Sequence, residues 1–136
     1  MHTPSVSSVP GLLPGIVQAL PEALVVVDLQ QRIVLWNPAA ERLFGYAAAE
    51  VLGSELNLIV PERFRAAHDA GFARAVESGE LRVAGRVMRT RAQPKDGRKL
   101  YVDFSFALVK DADGRVASVL ATARDATEAQ LKAAAG

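Results

Sequence analysis

One imidazole stands inside a patterned segment of this chain. His68 lies within residues 61–97, PERFRAAHDAGFARAVESGELRVAGRVMRTRAQPKDG, while the other histidine, His2, sits near the first residue. The segment reads as a helix followed by a β-hairpin. A lone imidazole on a helix that faces a pocket could ligate the metal of a cofactor through Nε2, leaving Nδ1 to donate to a backbone carbonyl or water. It could equally be a half-buried polar residue on an ordinary helix. Arg86 and Met88 stand two apart on the expected hairpin strand, so they share one of its faces.

Other chemistry is poorly supplied. Cysteine is absent from the 136 residues, which removes disulfides, thiolate zinc sites, iron–sulfur clusters and Cys-linked cofactors. With only His2 and His68 available, no Ser-His-acid set can be assembled, and no Gly-rich phosphate loop occurs. Asp28, Glu41, Asp69, Asp96, Asp103 and Asp111 fall mostly in expected turns or on solvated faces. The chain is therefore not expected to be an enzyme. Its formal net charge of +1 gives no field for nucleic acid. No run approaches the roughly 18 apolar residues that span a bilayer, and the start lacks a secretory pattern. A cytoplasmic location is the expectation.

The elements that must position His68 follow from periodicity and punctuation. Residues 1–14, rich in Pro, Ser and Gly, read as a flexible leader. A short helix over 15–20 stops at Pro21. Residues 24–28 and 33–36 form a strand pair around a turn at 29–32. Asn37 caps a helix over 38–44 that Gly45 ends. A further turn or two of helix covers 47–52. The longest helix, roughly 62–77, carries Phe64, Ala67, His68, Gly71, Phe72, Ala75 and Val76 near the i, i+3, i+4 spacing. Three strands finish the domain, over 81–92, 100–109 and 116–124. Asp96-Gly97 turns between the first two, and Leu100, Val102, Phe104, Phe106 and Leu108 share one face of the second. A last helix covers 127–135, where Glu128 and Lys132 pair four apart. The order gives an α+β domain with one antiparallel sheet and its helices on one face.

Asn37 to Tyr46 (NPAAERLFGY), Val51-Leu52-Gly53, Lys95-Asp96-Gly97 and Ala123 to Glu128 (ARDATE) resemble the PAS family, over about residues 20–128. The resemblance implies a PAS domain over 15–127 and the start of a signalling helix over 128–136. It implies a five-stranded antiparallel sheet of order 2-1-5-4-3, with short helices and one longer helix closing a pocket. It implies sensing of a small molecule, light, oxygen or redox state, or a dimer contact. The signal would leave through the C-terminal helix. Asp125 and Thr127 resemble the family's exit motif, although Asp and Thr before a helix are also ordinary capping residues.

The segment His68-Asp69, Arg74 and Arg82-Val83-Ala84-Gly85 is similar to a narrower branch, the haem-binding oxygen-sensor PAS domains of certain histidine kinases and cyclic-dinucleotide phosphodiesterases. That similarity implies b-type haem with His68 as proximal iron ligand. Met88 stands where the kinases carry an oxygen-contacting arginine, and Arg86 where the phosphodiesterases carry a methionine ligand, so the two types have exchanged places. Met88 could be a soft distal ligand or plain core, and the choice stays open. Arg86 could bond bound oxygen or a propionate, but a solvent-leaning side chain is favoured. Phe104 and Phe106 align with bulky apolar residues over the distal face, or they simply pack the core. Together with Val83 these are the expected cofactor contacts. A non-covalent flavin such as FAD is the lesser cofactor, since the light-sensing flavin branch needs an adduct-forming cysteine. A cofactor-free dimerisation module is the alternative from another class. A homodimer is expected, with an effector (kinase, cyclase or phosphodiesterase, or regulator) that is separate or removed.

Overall fold

The computed structural model of the protein describes residues 9–135. Its elements are α1 (Leu12–Ala19), β1 (Ala23–Val27), β2 (Ile33–Trp36), α2 (Pro38–Phe44), α3 (Ala48–Val51), a 3₁₀ turn (Leu56–Ile59), α4 (Glu62–Ser78), β3 (Met88–Ala92), β4 (Leu100–Lys110), β5 (Val116–Asp125) and α5 (Thr127–Ala135). The strands form one antiparallel sheet in the order β2-β1-β5-β4-β3, as expected. The alternation along β4 sends Leu100, Val102 and Phe104 into the core. There they meet Val25, Val27, Ile33, Ala121 and Ala123 from the neighbouring strands, and Ala40, Phe44 and Val51 from the short helices. Trp36 belongs to this core and not to a pocket wall: its ring lies 5.3 Å from that of Phe44, and its indole N–H donates to the Tyr46 carbonyl at 3.0 Å.

Asn37 is the one buried polar residue of that core among the described residues, and it joins three elements. Its Oδ1 accepts from the N–H of Leu24 at 2.8 Å and of Ala40 at 3.0 Å. Its amide donates to the carbonyls of Val17 at 3.2 Å and Glu22 at 3.1 Å. All four bonds that an asparagine amide ordinarily makes are thus used, tying the end of α1 and the start of β1 to the N-terminus of α2.

Two sequence expectations are corrected. The leader was expected to run to residue 14, but Leu12–Ala19 is helical, so the helix starts before residue 15. Pro14 lies in its first turn, where the missing N–H has no intrahelical partner to lose; the leader residues 1–8 lie outside the described residues. The expected strand over 81–92 begins only at Met88. Upstream of it the chain makes successive turns, with Ala84 N–H donating to Leu81 O at 3.3 Å and Arg86 N–H to Val83 O at 3.0 Å. Gly85 takes φ +75° at the third position of the second turn, a conformation that side chains with a Cβ rarely adopt.

At the other end, α5 is moored to β4. The N–H of Tyr101 donates to Thr127 Oγ1 at 3.0 Å, the N–H of Ala126 donates to Tyr101 O at 2.8 Å, and the N–H of Thr127 donates to Asp125 Oδ1 at 2.9 Å. The Asp125-Thr127 pair therefore caps the helix and also fastens it to the sheet.

Candidate ligand-binding site

α4 stands away from the sheet. Of its residues only Ala75 is buried, with Phe72 and Val76 packed partly against the core. The gap is a cavity of about 740 Å³. α4 supplies Ala67, His68, Gly71, Phe72, Arg74, Ala75, Glu77 and Ser78 to its wall. The following loop supplies Glu80, Leu81, Arg82 and Val83, and the sheet supplies Met88, Thr90, Phe106 and Val119. The size suits a small-molecule or cofactor site, and the lining is predominantly apolar, with exposed Arg74, Glu77, Glu80 and Arg82 at the mouth.

His68, Arg74, Val83, Met88 and Phe106 thus share this cavity, as a common site requires. Phe104 does not line it; it is buried behind Phe106 and stacks on it at 5.6 Å, with the rings 13° apart. Arg86 is also outside. It lies in the turn before β3 and is exposed, so it shares no strand face with Met88. The reason is the Gly85 turn, which ends the pleat before the Arg86-Met88 alternation can begin. Met88 opens β3 opposite Phe104, about a third exposed at the cavity edge.

Gly71 escaped the sequence reading as a site residue, although its place three residues after His68 on one helix face was the available signal. A helical glycine costs about 1 kcal/mol against alanine. A Cβ built there meets nothing within 4 Å, so the bare backbone leaves open space in the wall beside the imidazole. Gly71→Leu is expected to stabilise the ligand-free fold by about 1–3 kcal/mol, from helix propensity and cavity filling. The same change should abolish ligand binding. Urea unfolding and a binding titration on one preparation check both halves.

The side chain of His68 is 26% exposed, and its Nδ1 is buried with no hydrogen-bond partner. Burial pushes the imidazole below its ordinary pKa of 6.5, and the neighbouring Asp69 carboxylate opposes that shift without cancelling it. The ring is therefore neutral at neutral pH, the form that ligates metals. Among the described residues no group of three or more His, Asp or Glu is placed to hold a bare ion. The unfolded chain takes up the His68 proton more readily than the folded one. The stability linked to it is therefore complete above about pH 6.5 and is lost as the pH falls through the depressed folded value. In urea titrations, the native protein should lose more stability than His68→Gln between about pH 7 and pH 5. Parallel curves would contradict the assignment.

A protein-family model described as the PAS fold matches residues 11–126. The chain belongs to the PAS family. Among curated proteins, this PAS chain is 34% identical over 103 residues to the oxygen sensor protein DosP of Escherichia coli, covering 76% of the chain and 13% of DosP. It is 32% identical over 85 residues to the sensor protein FixL of Bradyrhizobium diazoefficiens, covering 62% of the chain and 17% of FixL. The PAS chain thus spans less than a fifth of the length of either relative. Among solved structures, an RNA-binding light-oxygen-voltage receptor aligns with a TM-score of 0.74 at 28% identity, covering 98% of this chain and 39% of the receptor. A PAS domain of Colwellia psychrerythraea aligns with a TM-score of 0.74 at 22% identity, covering 85% of this chain and 95% of the other, and shows the fold alone. In this PAS domain the cavity lies between the longest helix and the sheet, with the His68 imidazole on the helix side. No helix among the described residues is long and apolar enough to cross a membrane.

Proposed function

We propose that this PAS domain is a gas or redox sensor that holds b-type haem on His68. The observation that carries the reading is a neutral imidazole on the wall of an apolar cavity of about 740 Å³, with the bare Gly71 backbone beside it. The residues present fit such a group: one nitrogen donor, an apolar chamber, and arginines at its mouth. When bound, haem would supply an iron centre that takes up a diatomic gas or changes oxidation state. His68 would hold it through Nε2. Arg74 and Arg82 at the mouth would meet anionic groups on the ligand's edge. Leu81, Val83 and Phe106 would exclude water, and Met88 stands on the sheet side where a soft second donor is available. The likeness to a protein named as an oxygen sensor supports the same reading.

Movement of the cavity wall would pass through the β3–β4 pair, in which Met88 faces Phe104, to Tyr101 and so to Thr127 and α5. The domain would act without catalysis of its own, in the cytoplasm, as a homodimer. It would inform a kinase, a cyclase or phosphodiesterase, or a regulator. A non-covalent flavin such as FAD is the second reading, favoured by the 28% identity to a light-oxygen-voltage receptor, although the chain has no cysteine to form an adduct.

The test is a visible absorption titration of the purified protein with haem, oxidised and then reduced with dithionite. A sharp Soret band saturating at one haem per chain, and shifting with carbon monoxide, is the expected result. A yellow preparation with flavin absorption would favour the second reading. A broad, non-saturating band with no chromophore would sink both and leave a cofactor-free dimerisation module.

A further inference from the structure

Beside His68, among residues that do not line the cavity, lies a polar cluster that haem binding alone does not use. Asp69 Oδ1 accepts from the side-chain amide of Gln31 at 3.0 Å and from that of Asn57 at 3.2 Å. The buried Nδ1 of His68 lies 3.8 Å from the same oxygen, too far for a hydrogen bond but in reach after a small side-chain rotation. Of the four buried side-chain polar atoms without a partner among the described residues, three belong to this cluster: Gln31 Oε1, Asn57 Oδ1 and His68 Nδ1. Unmet polar capacity is thus concentrated around one carboxylate, where each orphan costs about 1–3 kcal/mol. Gln31 also holds φ +62°, the one non-glycine residue with positive φ among those described. That left-handed backbone costs about 1 kcal/mol, and it is tolerated at the position from which the amide reaches Asp69.

We propose that Asp69, clamped by Gln31 and Asn57, is a positioning residue that fixes the His68 tautomer, drawing the ring proton onto Nδ1 and leaving the Nε2 lone pair free toward the cavity. The inference deepens the reading of His68 as donor, yet it concerns the imidazole alone. A carboxylate left free could swing into solvent; two amide donors hold its oxygen beside Nδ1. The ring is rigid, so the nitrogen left for the cavity is Nε2. A metal ligand needs that lone pair unprotonated before the cofactor arrives, and a neutral imidazole in water favours the proton on Nε2 instead. Such an outer partner also holds the ring's orientation.

The experiment is a long-range proton–nitrogen correlation spectrum of the ¹⁵N-labelled, ligand-free protein, near pH 8, with His2→Gln to leave one imidazole. The expected result is a His68 signal dominated by the Nδ1–H form. Asp69→Ala should move the ratio several-fold toward Nε2–H. Gln31→Gly, which relieves the left-handed backbone and so cannot fail by strain, should move it the same way by less. A native spectrum dominated by Nε2–H, or a ratio that neither variant moves, would overturn the proposal. Because no haem enters the measurement, a protein that shows the expected tautomers but binds no haem would refute the haem reading and leave the positioning role standing. A haem-binding protein with an unmoved ratio would do the reverse.

Discussion

His68→Ala is expected to abolish stoichiometric haem binding while leaving the fold in place. The side chain is partly exposed, makes no hydrogen bond within 3.5 Å through its buried nitrogen, and sits on a helix that alanine favours. Stability should therefore stay within about 1 kcal/mol of native, as for most substitutions away from a core. Binding should not. With no other imidazole among the described residues of the wall, the remaining interactions are apolar contact and arginines at the mouth, which hold a flat ligand without a defined iron environment. Imidazole added at millimolar concentration should enter the vacated space and restore a sharp Soret band. Saturable binding by His68→Ala with an unchanged spectrum, and no response to imidazole, would remove His68 as the ligand.

The second large effect is on stability. Asn37→Ala is expected to lower the free energy of unfolding by about 3–5 kcal/mol, enough to unfold a marginal domain at moderate temperature. A lost N-cap accounts for about 1–2 kcal/mol. The N–H of Leu24 and the carbonyls of Val17 and Glu22 lose partners in a region where Asn37 is 1% exposed, and each unsatisfied group adds about 1–3 kcal/mol less whatever water enters. Asn37→Asp should rescue only part of the loss, because it keeps the acceptor but sets a carboxylate against two carbonyls. Urea unfolding of the three proteins checks the order; a loss under about 1 kcal/mol for the alanine variant would show the hub to be dispensable.

These two residues also show what the sequence makes legible. Asn37 announced itself because asparagine before Pro38 and an apolar helix has few other uses. Yet its bonds to Val17 and Glu22 arise only when α1 and β1 fold back on it. The strands β1, β2, β4 and β5 were readable because alternation and turn residues agree, and the longest helix because its i, i+3, i+4 spacing holds along its length. β3 was read too long for a physical reason: Leu81, Val83 and Val87 are good strand residues, but the backbone at Gly85 overrides them. That error put Arg86 on one strand face with Met88, although the solvent-leaning side chain favoured for it agrees with its exposure. His68 was found as a lone imidazole with helical neighbours. Gln31 and Asn57 were not, since each meets Asp69 across the fold, 38 and 12 residues away in sequence, with no periodicity to mark the contact.

The mooring of Thr127 to Tyr101 sets more than the strength of the last helix. α5 leaves the sheet through a hydroxyl on its first residue and a main-chain bond from the residue before it, both to Tyr101 of β4. Two attachments at the root fix rotation about the helix axis as well as its direction. Anything joined to α5 by unbroken helix therefore inherits a set angular phase relative to the sheet. Each residue inserted after Ala135 would turn that phase by about 100°, so that about seven residues nearly restore it and about two nearly reverse it. The PAS domain is in this sense a protractor: it delivers an angle, and the register of any helix continuing from α5 decides which face that angle presents.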